Sequence, residues 1–321
     1  MKKHTFKLLS ALTLSCGLLA PTLGLAQTVS VSSIVEHPAL DAIKDGVHEA
    51  LQEAGITERP DFKWQFQTAQ GNPAIASQIA RKFIGDKSDV IVAISTPSAQ
   101  AVVAGTRSIP VVYSAVTDPV AAQLVKGMEA SGTNVTGVSD ALSLEDQLAL
   151  IKQIVPNAKK VGMVYNPGET NSVVVVKRLE ELLATEGMQL VTATAPRTVD
   201  VGAAARSLVG KVDVIYTNTD NNVVSAYESL VRVGNEAKIP LVASDTDSVP
   251  RGAVAALGIN YFDLGKQTGA MVIRILEGEK PGDMASETSS ELELHVNPAA
   301  AKKQGIELSA ELVQSAAKVI E

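Results

Sequence analysis

The sequence predicts an α/β protein of two doubly wound, parallel-sheet lobes joined by a multi-crossing hinge. Three observations predict it. Short apolar strand runs alternate with helical segments almost without interruption from residue 29 to residue 258, the pattern of a parallel sheet wound by right-handed crossovers. The runs are nearly continuous in Val, Ile and Ala, as in strands covered on both faces. The punctuation also occurs twice. Lys87-Ser-Asp-Val-Ile-Val92 returns as Lys211-Val-Asp-Val-Ile-Tyr216, and Ser108-Ile-Pro-Val-Val112 as Lys238-Ile-Pro-Leu-Val242.

In chain order, Val29 to Val35 reads as a strand and Pro38 to Ala54 as a helix opened by proline and closed by Gly55. A strand over Phe62 to Thr68 and a helix over Pro73 to Ile84 follow. Asp89 to Ile94 is a strand buried on both faces, and Thr96-Pro97-Ser98 opens a helix to Gly105. Pro110 to Ala115 and Asn134 to Val138 are further strands. After a helix over Leu142 to Ile154 the rhythm restarts. Strands are predicted over Lys160 to Tyr165, Gln189 to Ala193, Val212 to Thr217 and Pro240 to Ala243. Helices between them lie near Asn171 to Glu186, Asp200 to Val209 and Asp220 to Ala237. The rhythm changes after Gly258, with a helix over Asp263 to Leu276, a strand over Glu291 to Val296 and two closing helices. No linker rich in Pro, Gly or Ser divides the halves. The lobes are therefore expected to join by short crossings near Val138, Ile259 and Ser289, giving one lobe of residues 27–138 plus 260–288 and another of 139–259 plus 289–321.

The first 26 residues read as a secretory signal peptide: Lys2, Lys3 and Lys7, an apolar run from Leu8 to Ala20, and Gly24-Leu25-Ala26 at the cleavage positions. The apolar run is too short to span a bilayer. The protein is expected to be periplasmic or otherwise extracytoplasmic. Leu14-Ser15-Cys16-Gly17 faintly resembles a lipoprotein site and keeps a lipid anchor at Cys16 as the lesser alternative. Cleavage after Ala26 removes the only cysteine, so the mature chain has neither disulfides nor thiolate metal ligands. It also changes the formal charge from −7 to −10, with 25 basic residues against 35 acidic ones. An acidic chain without a basic cluster does not fit a nucleic-acid partner. His37, His48 and His295 lack metal-ligand spacing, so no metal or cofactor is expected. No nucleophile elbow, P-loop or dinucleotide fingerprint occurs, so the chain does not read as an enzyme, and an unrecognised hydrolase is the catalytic alternative. A monomer is the default.

In open α/β sheets, ligands sit beyond the carboxyl ends of the strands, where helix amino termini point. That rule selects Glu36 and His37 after the first strand, Ser95, Thr96 and Ser98 after the third, and Val116, Thr117 and Asp118 after the fourth. In the second half it selects Asn166, Asn171 and Ser172, then Asn218, Asp220 and Asn221, then Asp245. The clustered hydroxyls at Ser95 to Ser98, beside free helix-start amides, suit a carboxylate, although one of them could simply cap the helix. Asp118 before Pro119 and Asp220 before a helix have turn and cap explanations of their own. Asn218 and Asn221 can donate and accept, as a small polar ligand requires. Asp245 could neutralise an ammonium group.

At these residues the sequence resembles a known family over essentially the whole mature chain. The stretches are Glu36-His-Pro-Ala-Leu-Asp41, Ala93-Ile-Ser-Thr-Pro-Ser98 with Gln100-Ala101, Val116-Thr-Asp-Pro-Val120, Asn134-Val-Thr-Gly-Val-Ser139, Tyr165-Asn-Pro-Gly-Glu-Thr-Asn-Ser172 and Thr219-Asp-Asn221. In order and spacing they resemble the ABC-transporter substrate-binding proteins of the tryptophan/tyrosine type, which have the type I periplasmic-binding-protein fold. The resemblance implies capture of an aromatic amino acid (Phe, Tyr or Trp) by hinge closure, with an ABC permease and its ATPase as partners. It also implies that Ser95, Thr96 and Thr117 bind the carboxylate or ammonium from one lobe while Asn166, Ser172, Asn218 and Asp245 approach from the other. Tyr113, Tyr165 and Tyr216 could frame a ring or belong to the core. A sugar or other small solute, or a sensory-receptor role, would use the same lobes. A repressor would need an amino-terminal helix-turn-helix where the signal peptide stands.

Overall fold

A computed structural model describes residues 27–289 and 291–321, so the signal-peptide and Cys16 readings lie outside the described residues. The first sheet begins with β1 (Thr28–Ser33), α1 (Pro38–Glu53), β2 (Lys63–Thr68), α2 (Pro73–Gly85), β3 (Val90–Ile94), α3 (Thr96–Gly105), β4 (Val111–Ser114) and β5 (Val135–Ser139). The chain then passes to the second sheet through α4 (Leu144–Ile154), β6 (Lys160–Tyr165), α5 (Thr170–Thr185), β7 (Gln189–Thr194), α6 (Val201–Ser207) and β8 (Val214–Thr217). There follow α7 (Asn221–Ser225), α8 (Tyr227–Ala237), β9 (Leu241–Ala243) and β10 (Ala255–Ile259). It returns to the first body with α9 (Tyr261–Leu276) and β11 (Glu287–Thr288), then finishes in the second with β12 (Leu292–Val296), α10 (Pro298–Lys303), α11 (Ala310–Ser315) and β13 (Lys318–Val319).

The first sheet is parallel throughout, in the order β11-β5-β4-β3-β1-β2. The second runs β13-β12-β10-β9-β8-β6-β7, with β10 and β12 antiparallel. Both sheets share one winding, so the strand order reverses between β1 and β3 in one and between β6 and β8 in the other. Those reversals are where open sheets bind ligands. The strands are as apolar as the sequence demands: every residue of β3, and of β4, is buried.

Local chemistry sets the helix ends. Pro38 and Pro73 stand in first turns, and the Asn72 side chain accepts from the Ala74 amide. Asn260 accepts from the Phe262 and Asp263 amides, so α9 starts at Tyr261, two residues before the expected Asp263. The helix expected over 220–237 is broken at Ala226. Arg251 Nη1 donates to the Val224 carbonyl at 2.7 Å, occupying the acceptor that the next helical turn would need. In the first body α1 and α9 meet through Gly46, Gly265 and Gly269, where a Cβ would strike the facing helix. Tyr261, Leu264, Met271, Val272 and Ile275 of α9 belong to the first sheet's core. Among the described residues no helix is long and apolar enough to cross a membrane.

Candidate ligand-binding cleft

The carboxyl ends of both sheets face one another across a cleft, and between them lies a small cavity. His37, Leu40, Ser95, Thr96, Ala115 and Thr117 line it from the first body. Asn171, Thr219, Asn221, Val224 and Asp245 line it from the second, and Asp140 and Tyr261 from the segments that cross between the two.

The wall at α3 is polar and strained. Ser95 has φ 75° and ψ 157°, and Ala115, on the neighbouring strand end, has φ 52°. Non-glycine residues in such conformations store strain that surrounding structure must hold, and they concentrate at functional sites. The Ser95 amide donates to Ser114 O at 2.9 Å and its carbonyl accepts from Ala99 N at 3.0 Å, which fixes the turn. Ser95 stands at the cap position of α3, yet its hydroxyl makes no capping bond. Both Ser95 Oγ and Thr96 Oγ1 are buried and have no hydrogen-bond partner among the described residues. Asn171 Oδ1, in the opposite wall, is in the same condition. Buried polar atoms are nearly always satisfied, so three unsatisfied ones in a single cavity set it apart as the candidate site.

Two buried carboxyls complete the wall. Burial pushes Asp245 up to about 6, with Ser248 N and Oγ both donating to it at 2.8 Å. Burial also raises Asp140, opposed by hydrogen bonds from Thr117 Oγ1 at 3.0 Å and Tyr261 OH at 3.2 Å. Burial pushes His37 down to about 3, so its ring is neutral and accepts from Leu40 N at 3.5 Å. Behind the second wall Glu169 is raised to about 7, first by burial and then by Asp220.

Of the residues predicted from strand ends, His37, Ser95, Thr96, Thr117, Asn171, Asn221 and Asp245 meet in the cavity. The others do not line it. Glu36 is exposed, Val116 is wholly in the core, and Ser98 is buried within the first turn of α3. Asp118 caps its turn through Ala121 N and pairs with Arg178 at 2.6 Å, so the turn explanation holds for it. Asn166, Ser172, Asn218 and Asp220 form a supporting network behind the wall. Asp220 caps α7 and accepts from Asn166 N and Ser172 Oγ, both at 2.6 Å, while Asn218 Nδ2 donates to Ser172. Tyr113 and Tyr216 are core, and Tyr165 packs at its edge. The sequence reading missed Asp140, Thr219, Val224, Leu40, Ala115 and the aromatic that does face the cavity, Tyr261. Asp140 follows β5 directly, so the strand-end rule applied to it as well.

The walls are closed on each other. Arg178 in α5 reaches Asp118, Gln100 Nε2 in α3 reaches Thr170 Oγ1 at 3.3 Å, and the Thr117 and Thr219 hydroxyls approach to 3.5 Å. Among the described residues no cluster of His, Cys, Asp or Glu could hold a metal ion.

Two similarly wound sheets closing their strand ends over a cavity with a polar head define a two-lobed solute-binding protein. The chain belongs to the family of ABC transporter substrate binding proteins, whose model matches residues 28–320. A tyrosine-binding protein of Clostridioides difficile is 43% identical over 271 residues, covering 84% of this chain and 79% of that one. A Streptococcus pneumonia domain solved in complex with L-Trp is 31% identical, covers 92% of this chain and all of its own, and superposes with a TM-score of 0.88. The ligand-free, open structure of a Clostridium difficile substrate-binding protein is 40% identical over 92% of this chain and 99% of its own, but its TM-score is only 0.69. The better match to the complex, at lower identity, agrees with the cross-lobe contacts: the described arrangement is the closed one. The fold reaches further, to a glucose-galactose binding protein of Geobacillus stearothermophilus at 15% identity and TM-score 0.61, covering 84% of this chain and 97% of that one.

Proposed function

We propose that the protein captures an aromatic amino acid (Phe, Tyr or Trp) outside the cytoplasm and delivers it to an ABC permease driven by its ATPase. The observation that carries this reading is the polarity of the cavity: unpartnered hydroxyls of Ser95 and Thr96 at the start of α3 in one lobe, facing the carboxyl of Asp245 in the other. The ligand carboxylate accepts from those hydroxyls and from the free amides of the first turn of α3, where the helix dipole favours negative charge. The ligand ammonium lies toward Asp245, Asp140 and the Asn171 carbonyl oxygen. Leu40, Val224, Ala115 and Tyr261 then surround the side chain. The names of the relatives, one tyrosine-binding and one holding L-Trp, support an aromatic side chain over a small one.

Capture works by closure, with no bond made or broken. A ligand shifts the lobes toward the closed state only by the contacts that state adds. The contacts added are those of the second lobe, at Thr219, Asn221, Asn171 and Asp245. The closed form is then what the permease reads. Export by cleavage after Ala26 belongs to the same reading.

The test is a thermal-shift screen of protein stripped of ligand by unfolding and refolding, against the twenty amino acids and a panel of sugars, with mass spectrometry of any co-purified molecule. A ligand present at about 100 times its Kd stabilises by about 2.7 kcal/mol, which such a screen resolves. Shifts confined to Phe, Tyr or Trp support the reading, whereas a response to sugars alone sinks it.

A further inference from the structure

We infer that Glu169 is a positioning residue: it turns Asn171 and Asn221 so that the second lobe offers carbonyl oxygens, and thereby selects a ligand that carries an α-ammonium group. The inference rests on the amino-acid reading above and assigns a role to a side chain that does not line the cavity itself.

Glu169 immediately precedes α5 and is 4% exposed. Its carboxyl faces four donors. Asn166 Nδ2 reaches Oε1 at 3.2 Å, while Asn171 Nδ2 at 3.2 Å, Asn221 N at 3.2 Å and Asn221 Nδ2 at 2.5 Å reach Oε2. An ionised carboxylate only accepts, so both amides must aim their NH2 groups at it. Asn171 Nδ2 has a second acceptor, Thr219 O at 3.1 Å, and a flipped Asn171 would set its oxygen against both. The consequence is that Asn171, a cavity residue, is left with a buried Oδ1 that has no partner among the described residues.

This gives the cavity a direction. The hydroxyl donors at Ser95 and Thr96 lie on the first lobe, and the acceptors lie at Asn171 and Asp245 of the second and at Asp140 after β5. A ligand with one carboxylate and one ammonium fits in a single orientation. The charged group facing Glu169 from the neighbouring element is Asp220, which adds to burial in raising the carboxyl to about 7. Protonation weakens the carboxyl as an acceptor and, on Oε2, sets a hydrogen against the two cavity amides.

Glu169→Leu tests this, because it removes the Oε2 acceptor at which both cavity amides aim their NH2 groups, whereas a glutamine could keep its oxygen there and disturb only Asn166. L-tyrosine and its des-amino analogue, 3-(4-hydroxyphenyl)propionate, are titrated calorimetrically into stripped wild type, E169L and E169D at pH 8. The expected result is that E169L loses about tenfold or more in affinity for L-tyrosine, the range of one hydrogen bond to a charged group. The analogue should stay within about threefold, and E169D should keep most of the wild-type preference for the amine. Equal losses for both ligands would mean that Glu169 only props up the lobe, and no loss would remove it from recognition; either overturns the inference. If E169L does not fold, the wild type carries the test. Its preference for L-tyrosine over the analogue should fall between pH 8 and pH 6.5, and a constant ratio overturns the inference. A wild type that binds the analogue but gains nothing from the amine sinks the role of Glu169 alone. A wild type that binds neither sinks the amino-acid reading, and the inference with it.

Discussion

Replacing Asp245 with Asn should do two opposite things: weaken ligand binding severely and make the empty protein more stable. Asp245 is 1% exposed, and among the described residues its carboxyl is held by Ser248, through the amide and the hydroxyl. Burial carries it from 3.8 to about 6, and Asp247 adds to the shift. At about 1.4 kcal/mol for each tenfold change in the proton equilibrium, holding it ionised at pH 7 costs about 3 kcal/mol relative to the unfolded chain. Asn keeps both hydrogen bonds, accepting from Ser248 N and donating to Ser248 Oγ, while the charge disappears. The sign follows from linkage. Below pH 3.8 both states hold the proton and there is no penalty; the penalty grows from there through about pH 6 and is constant above.

The stripped variant should therefore melt several degrees above stripped wild type at pH 7, given about 2–4 °C per kcal/mol for bodies of this size. The gap should close near pH 4. Calorimetric titration at pH 7.5 should show aromatic amino acids bound about thirtyfold or more weakly, because the ligand ammonium is left without its buried partner. An Asn variant that binds as tightly as wild type would refute the ammonium assignment. One that loses binding and also melts lower at pH 7 would refute the desolvation argument.

Thr96→Val keeps the branched shape and removes a hydroxyl that is already without a protein partner. It should leave the stripped protein's Tm unchanged or higher and weaken ligand binding about tenfold, by calorimetry. Gly265→Ala would drive a Cβ against the Ile43 carbonyl where α1 meets α9, and should destabilise the first lobe by about 2–3 kcal/mol. Trp64, the only tryptophan, packs on that lobe's core, so its fluorescence in urea reads the loss directly. Arg178→Ala removes the cross-lobe pair with Asp118 from a residue that is 60% exposed, so stability should change by less than about 1 kcal/mol. Ligand release measured by stopped flow should accelerate severalfold, because only the closed state makes that contact.

Much of the fold was legible because a sheet covered on both faces writes itself as unbroken apolar runs. Lys160–Tyr165 was readable to the residue on that basis. What escaped was set from a distance. The break at Ala226 comes from Arg251, 25 positions downstream, and no property of residues 220–237 announces it. The site followed the same division. The strand-end rule gathered Ser95, Thr96, Thr117, Asn171, Asn221 and Asp245 because topology alone brings strand ends together. It could not separate Asn221, which faces the cavity, from Asp220 beside it, which caps α7 and turns inward. It also offered Val116, whose side chain points into the core. Adjacent residues leave a strand end in different directions, and only the turn that follows decides which one meets the ligand.

Two cavity residues the sequence reading passed over, Asp140 and Tyr261, are those that tie the cavity to the hinge. Asp140 lies in the crossing after β5 and Tyr261 in the crossing after β10, and Tyr261 OH donates to Asp140 Oδ2 at 3.2 Å. Thr117, at the end of the first sheet, donates to the other oxygen. Tyr261 opens α9, which packs into the first body's core, so the two hydrogen bonds tie Asp140 to the first lobe. On the proposed reading the first lobe therefore holds a prebuilt half-site: hydroxyls of Ser95 and Thr96 for the carboxylate, and Asp140 near the ammonium. The second lobe contributes Thr219, Asn221 and Asp245 only on closing. That division sets an order, with the ligand received by the first lobe and closure stabilised by the second. It also places the ammonium against a residue of the crossing itself, so ligand and hinge share atoms at the point where closure is decided.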